Sequence, residues 1–159
     1  MNKKGTSLRL AASLGLCLGL WVFALVFDRP QVLPRYLTLQ KPALVPPQAV
    51  LIIGWGIMFV LLGVALFILW QNKNKAGAGP VLTLFVTQLA LIFVRNLSFV
   101  LNFDLSSGLA MGLVLLANGL VVAVLGWRIH HAVTWLLLPY LGWLVFFLTF
   151  SLRIFLLNR

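Results

Sequence analysis

Three polar side chains recur at intervals of seven inside one apolar stretch: Gln88, Arg95 and Asn102. Seven residues make close to two helical turns, so the three share a helix face with Ile92 and Phe99 between them. That stripe is too polar to face lipid comfortably. An arginine stranded in a membrane span costs about 2.5–3.5 kcal/mol on insertion scales, so it reads first as functional. Two readings of Arg95 remain open: it faces the interior as an anion contact, or its long stem snorkels to headgroups two turns away. No aspartate or glutamate lies near mid-depth of any span, which argues against proton-coupled antiport. Adjacent His130 and His131 point in different directions on a helix, with no cysteine or carboxylate nearby, so no metal site is expected. Neither a nucleophile with a base at workable spacing nor a glycine-rich phosphate loop occurs. No catalytic residue is expected.

The aromatic residues say more. Trp21, Trp70, Trp127 and Trp135 fall toward span ends, where indoles form the interfacial belt. Trp55 and Trp143 lie two turns or more inside their spans, and each is followed four residues later by a phenylalanine, Phe59 and Phe147. Residues i and i+4 stack on one helix face, so two such pairs on different helices can wall a flat apolar cavity or simply pack.

The elements that must position these groups are membrane helices. Of 159 residues, 62% are hydrophobic and 9% charged, too few charges to cover a water-facing surface. Apolar runs at about 8–27, 49–70, 80–101, 107–127 and 132–154 are each long enough to span a bilayer. Gly15 and Gly19 form a GxxxG in the first run, where a neighbouring helix can approach closely. The formal charge of +10 comes from scattered cations at span ends, where lipid headgroups rather than nucleic acid receive them. Six lie on the amino-terminal side (Lys3, Lys4, Arg9, Lys73, Lys75, Arg128) against five on the other (Arg29, Arg35, Lys41, Arg153, Arg159), a weak positive-inside signal for a cytoplasmic amino terminus. The lone Cys17 excludes an intrachain disulfide. The basic start lacks a small-x-small cleavage site, so the first run reads as an uncleaved span. Most connections are short, but that between the first two spans carries Pro30, Pro34, Pro42, Pro46 and Pro47, which predicts a stiff, non-helical loop. A long connection of this kind is usually a lid or part of a site.

Two blocks carry a family resemblance. The first is Tyr36-x-x-Leu39-x-Lys41-Pro42-x-x-x-Pro46-Pro47 with Trp55 eight residues on; the second is Trp135-Leu136-Leu137-Leu138-Pro139-Tyr140-x-x-Trp143-x-x-Phe146. They resemble the WYxxLxKPxWxPP loop and WLLxPYxxWxxF fifth helix of the TspO/translocator protein family, the tryptophan-rich sensory proteins. The resemblance implies an all-α bundle of five transmembrane helices, often dimeric, in one domain over 1–159. It also implies a cavity beneath the first loop that takes porphyrins and related flat apolar ligands. By position the pocket draws on Tyr36, Pro46, Trp55, Phe59, Asn96, Phe99, Asn118, Trp143 and Phe147, with Arg35 or Arg95 against a ligand anion. The chain departs from the family pattern in places: Arg35 and Leu44 replace loop tryptophans, Ile92 stands at the usual asparagine, and Phe147 replaces a small residue and narrows the cavity.

These readings together predict a multi-pass protein of a bacterial cytoplasmic membrane that acts as a receptor or carrier. A porphyrin or haem precursor is its expected ligand and no cofactor is required; lipid and a second copy are its expected partners. Two alternatives stand beside it: a structural protein whose cavity has collapsed around Phe147, and an enzyme that degrades porphyrin in light.

Overall fold

A computed structural model describes residues 3–42, 46–102 and 104–158, with only the helix path given for residues 3 and 28–33. Among them are five α-helices in chain order: α1 (Lys3–Thr38), α2 (Gln48–Gln71), α3 (Ala78–Asn102), α4 (Leu105–Ile129) and α5 (His131–Leu157). Each contains a segment long and apolar enough to cross a bilayer. Helices suit lipid because every interior backbone N–H and C=O is paired within its own segment.

The five close into a ring. α1 packs on α2, α2 on α5, α5 on α4 and α4 on α3, and a lighter contact from α3 returns to α1. That last seam holds a tilted ring pair, Phe23 and Phe93, with centroids 5.1 Å apart. α1 is the least buried span of the five.

The first connection differs from expectation. Pro30 and Pro34 do not end α1, which runs through both to Thr38, so the connection to α2 shrinks to 39–47. A proline inside a helix forfeits one backbone bond, and a pair four apart concentrates both losses on one side while the rest of the ladder holds. Pro139 is likewise accommodated inside α5. Leu44, one of the departures from the family pattern, lies outside the described residues.

Glycines set the close contacts, though not those of the GxxxG. A Cβ on Gly15 or Gly19 would meet nothing within 4 Å, so this pair faces away from the bundle. α1 instead meets α2 at Gly63, where a Cβ would sit 2.9 Å from Leu14 Cδ2 and 3.1 Å from Leu14 Cα. At the far end Asp104 caps α4, accepting from the amides of Ser106 and Ser107. The Ser106 hydroxyl first, and then these amides, hold its carboxyl below the usual carboxylate range.

Inside the bundle one polar cluster ties three helices. Gln88 of α3 donates from Nε2 to the Leu115 carbonyl of α4 (3.1 Å) and to the Tyr140 hydroxyl of α5 (2.7 Å). Its Oε1 accepts from Asn118 Nδ2 at 2.6 Å, and Asn118 donates again to the Leu84 carbonyl at 3.1 Å. All four amide N–H groups have acceptors, which is why so polar a cluster is stable away from water.

Backbone-to-backbone approach at Gly63 makes a prediction. Gly63→Ala drives a methyl against the Leu14 backbone and separates α1 from α2, at a cost of about 1–3 kcal/mol. Thermal unfolding in detergent should show a clear loss for Gly63→Ala and almost none for Gly15→Ala; equal melting temperatures would disprove this packing.

Candidate functional site

The bundle encloses a cavity of about 430 Å³ on the side of the 39–47 link, within the range of small-molecule sites. Its walls come from all five helices: Trp21 of α1, Trp55 and Phe59 of α2, Arg95 and Phe99 of α3, Leu109 of α4, and Phe147 of α5. Tyr36, Lys41 and Pro46 form its roof, and Leu115 and Tyr140 lie at its floor. The Gln88 cluster therefore fixes two floor residues from behind.

Trp55 is the centre of an aromatic wall. Phe147 meets its ring edge-on at 5.4 Å and 74°, Trp143 at 6.2 Å and 90°, and Phe59 at 6.3 Å and 45°. Edge-to-face arrangements of this kind suit the quadrupoles of the rings. The pair expected between Trp143 and Phe147 is thus replaced by Phe147 on Trp55. Trp143 turns instead across Gly54, where only the absence of a Cβ leaves space for its ring, and it stands behind Trp55 rather than on the cavity. Phe147 narrows the space without filling it.

The cations have distinct places. The Arg95 guanidinium lies 5.1 Å above the Phe147 ring and lines the cavity, so it faces the bundle interior. Lys41 Nζ lies 4.8 Å from the centroid of Tyr36 and also lines it. Among the described residues no acid lines the cavity. Arg35, by contrast, is exposed on the outer side of the last turn of α1.

Two further groups on the cavity have unmet hydrogen-bonding capacity. Trp21 Nε1 and the Tyr36 hydroxyl are buried with no hydrogen-bond partner among the described residues, and both residues line the cavity. Buried polar atoms are rarely left so. Burial pushes the Tyr36 phenol above its ordinary value, so it stays protonated and able to donate at neutral pH.

Among the described residues a side-chain clamp at Gln40 fastens the roof. The Gln40 amide donates to Asn158 Oδ1 and Asn158 Nδ2 donates to the Gln40 carbonyl, both at 2.9 Å. Asn158 also donates to the Ile154 carbonyl at 2.8 Å, so the clamp holds the link to the end of α5.

Of the residues expected from sequence, the cavity brings together Tyr36, Pro46, Trp55, Phe59, Arg95, Asn96, Phe99 and Phe147. Asn118, Trp143 and Arg35 stand off it: Asn118 is engaged by Gln88 and Leu84, and Trp143 by Gly54 and Trp55. Sequence reasoning missed Trp21, Lys41, Ile92 and Tyr140 as lining residues. Trp21 reads as an interfacial indole until Gly56 is seen to admit it, a Cβ there lying 3.0 Å from its Cζ2. The signals for Lys41 and Tyr140 were their places within the two motif blocks.

Comparison with known proteins agrees with this architecture. The TspO/MBR family pattern matches residues 13–157. The tryptophan-rich protein TspO of Archaeoglobus fulgidus is 30% identical over 153 residues, 95% of this chain and 97% of that protein. The protein of the same name from Chlorobaculum tepidum is 35% identical over 153 residues, 92% of each chain. Translocator protein 2 of the dog is 34% identical over 110 residues, covering 66% of this chain and 63% of that one. With five membrane-spanning helices and the family pattern matched over residues 13–157, this chain is a multi-pass integral membrane protein that belongs to the TspO/MBR family.

Proposed function

We propose that this protein is a membrane receptor or carrier that holds a flat, apolar, anionic ring compound of the porphyrin class beneath the roof of Tyr36, Lys41 and Pro46. The observation that carries the reading is the set of donors on an otherwise apolar cavity. Trp21 Nε1 and the Tyr36 hydroxyl lack partners, Arg95 and Lys41 are cations, and no acid lines the space among the described residues. A ligand that is greasy in its body and carboxylated at its edge matches this set. Its ring lies against Trp55, Phe99 and Phe147, while its carboxylates take the guanidinium of Arg95 and the ammonium of Lys41. That a cavity of about 430 Å³ stays open beside Phe147 favours binding over a purely structural role.

The test is titration of the detergent-solubilised protein with protoporphyrin, followed by tryptophan quenching. Charge-assisted hydrogen bonds contribute about 1.5–3 kcal/mol, so Arg95→Leu should weaken binding by about 10–100-fold, with Arg95→Lys between it and the parent. Equal affinities in all three proteins, or no quenching in the parent, would refute the reading.

The clamp makes a kinetic prediction on the same assay. Asn158→Ala removes both bonds to Gln40 and leaves the cavity walls intact. Stopped-flow mixing should therefore show association and dissociation both accelerated, with the equilibrium constant changed less than either rate. Unaltered rates would mean that the roof does not limit access.

A further inference from the structure

At the opposite end of the bundle a second site is assembled from parts the cavity does not use. A groove of about 440 Å³ runs along the outer face between α4 and α5, walled by Leu120, Val124, Leu138 and Leu141 and closed at its upper end by Trp127 and Arg128. Among the described lining residues Arg128 alone is charged, and Thr134 Oγ1 is already bonded to the Ala123 carbonyl at 2.6 Å. Trp127 stacks on His131 (4.1 Å, 24°) and lies 6.5 Å from Trp135, which makes an aromatic rim at the level where indoles meet headgroups.

The charge at this rim is one-signed. Lys75 Nζ donates to the Ile129 carbonyl at 2.8 Å, which pins the α2–α3 turn, with Lys73, against the α4–α5 turn that carries Arg128, His130 and His131. That contact also covers the negative end of α4, and the positive end of α5 begins two residues later. Lys4 and Arg9 stand at the same end of the bundle, whereas the chain's two acids, Asp28 and Asp104, belong to the opposite end.

We propose that this groove is a specific site for an anionic phospholipid. One acyl chain lies along Leu120, Val124 and Leu138, and the phosphate group is held by Arg128, with Lys75 and Lys73 behind it. Lipid is the occupant because the groove opens sideways into the hydrocarbon layer while its only free charge sits at headgroup height. The complementarity calls for a negative headgroup, and it sets this end of the bundle in the anionic, cytoplasmic leaflet. Neither the groove nor its rim touches the cavity, so this proposal stands apart from porphyrin binding.

The full chain in a neutral detergent is titrated with phosphatidylglycerol or phosphatidylcholine of the same acyl composition, and lipid retention is read by native mass spectrometry. Phosphatidylglycerol should bind more tightly. Arg128→Ala should lower its affinity about fivefold, the factor for about 1 kcal/mol per basic side chain at an anionic surface, and Arg128→Lys should keep most of it. Leu138→Trp, a change on a lipid-facing position, fills the groove and should reduce retention of both lipids. Arg153→Ala, at the opposite end, should change nothing. No headgroup preference in the parent, or an Arg128→Ala effect no larger than that of Arg153→Ala, overturns the proposal. So does loss with Arg128→Ala but not with Leu138→Trp, which would mark surface attraction without a groove. A Leu138→Trp change confined to oligomeric state would make the groove a protein contact and overturn it equally.

Discussion

An amide buried between helices in a lipid solvent has no water to fall back on. Gln88 sits in that position, 1% exposed, and the helices around it are arranged to take both its N–H donors and to donate to its oxygen. Hydrophobic attraction does little to hold helices together when lipid tails are as apolar as leucine, so close packing and interhelical hydrogen bonds take its place. The Gln88 cluster specifies which face of α3 meets α4 and α5, and at what depth. Tyr140 and Leu115 then become a floor, Arg95 two turns along the same face is turned inward, and the cavity has a fixed base. Leaving any one partner out strands several polar atoms together.

Glycine and tryptophan act as complements above this base. Gly54 and Gly56, two positions apart on α2, admit Trp143 and Trp21 respectively. The indoles crowd onto the backbone of α2 from opposite neighbours, and Trp55 between them projects into the cavity. A helix with larger residues at 54 and 56 would push both rings outward and widen the space without shaping it. Thus the aromatic wall is positioned by residues that have no side chain.

The architecture was legible because long charge-free runs have few alternatives in a protein this apolar, and all five spans lie where hydropathy places them. Most of the cavity was legible from the two motif blocks and the family resemblance, which gave Asn96 an inward place; the heptad-spaced stripe left Arg95 open between interior and headgroups, and its place over the Phe147 ring decides it. What could not be read was what depends on a second helix. Trp143 counts as a wall residue by spacing, but the space over Gly54 draws it aside; Trp21 counts as an interfacial anchor until Gly56 is opposite it. The path of α1 was misjudged for another reason. Proline was treated as a stop, whereas a helix already paired on both sides tolerates the loss of single bonds.

That path has a mechanical consequence. α1 contributes Trp21 and Ala24 to the cavity wall and Tyr36 and Leu37 to its roof, all on one uninterrupted rod. At about 1.5 Å per residue the rod is far longer than the hydrocarbon layer is thick, so its last turns stand clear of the membrane. Such a roof cannot lift like a flap on slack chain. It is continuous with its post, and the post itself is the helix least embedded in its neighbours. Any displacement of that post by the surrounding bilayer would therefore move wall and roof together, because both are parts of one rod.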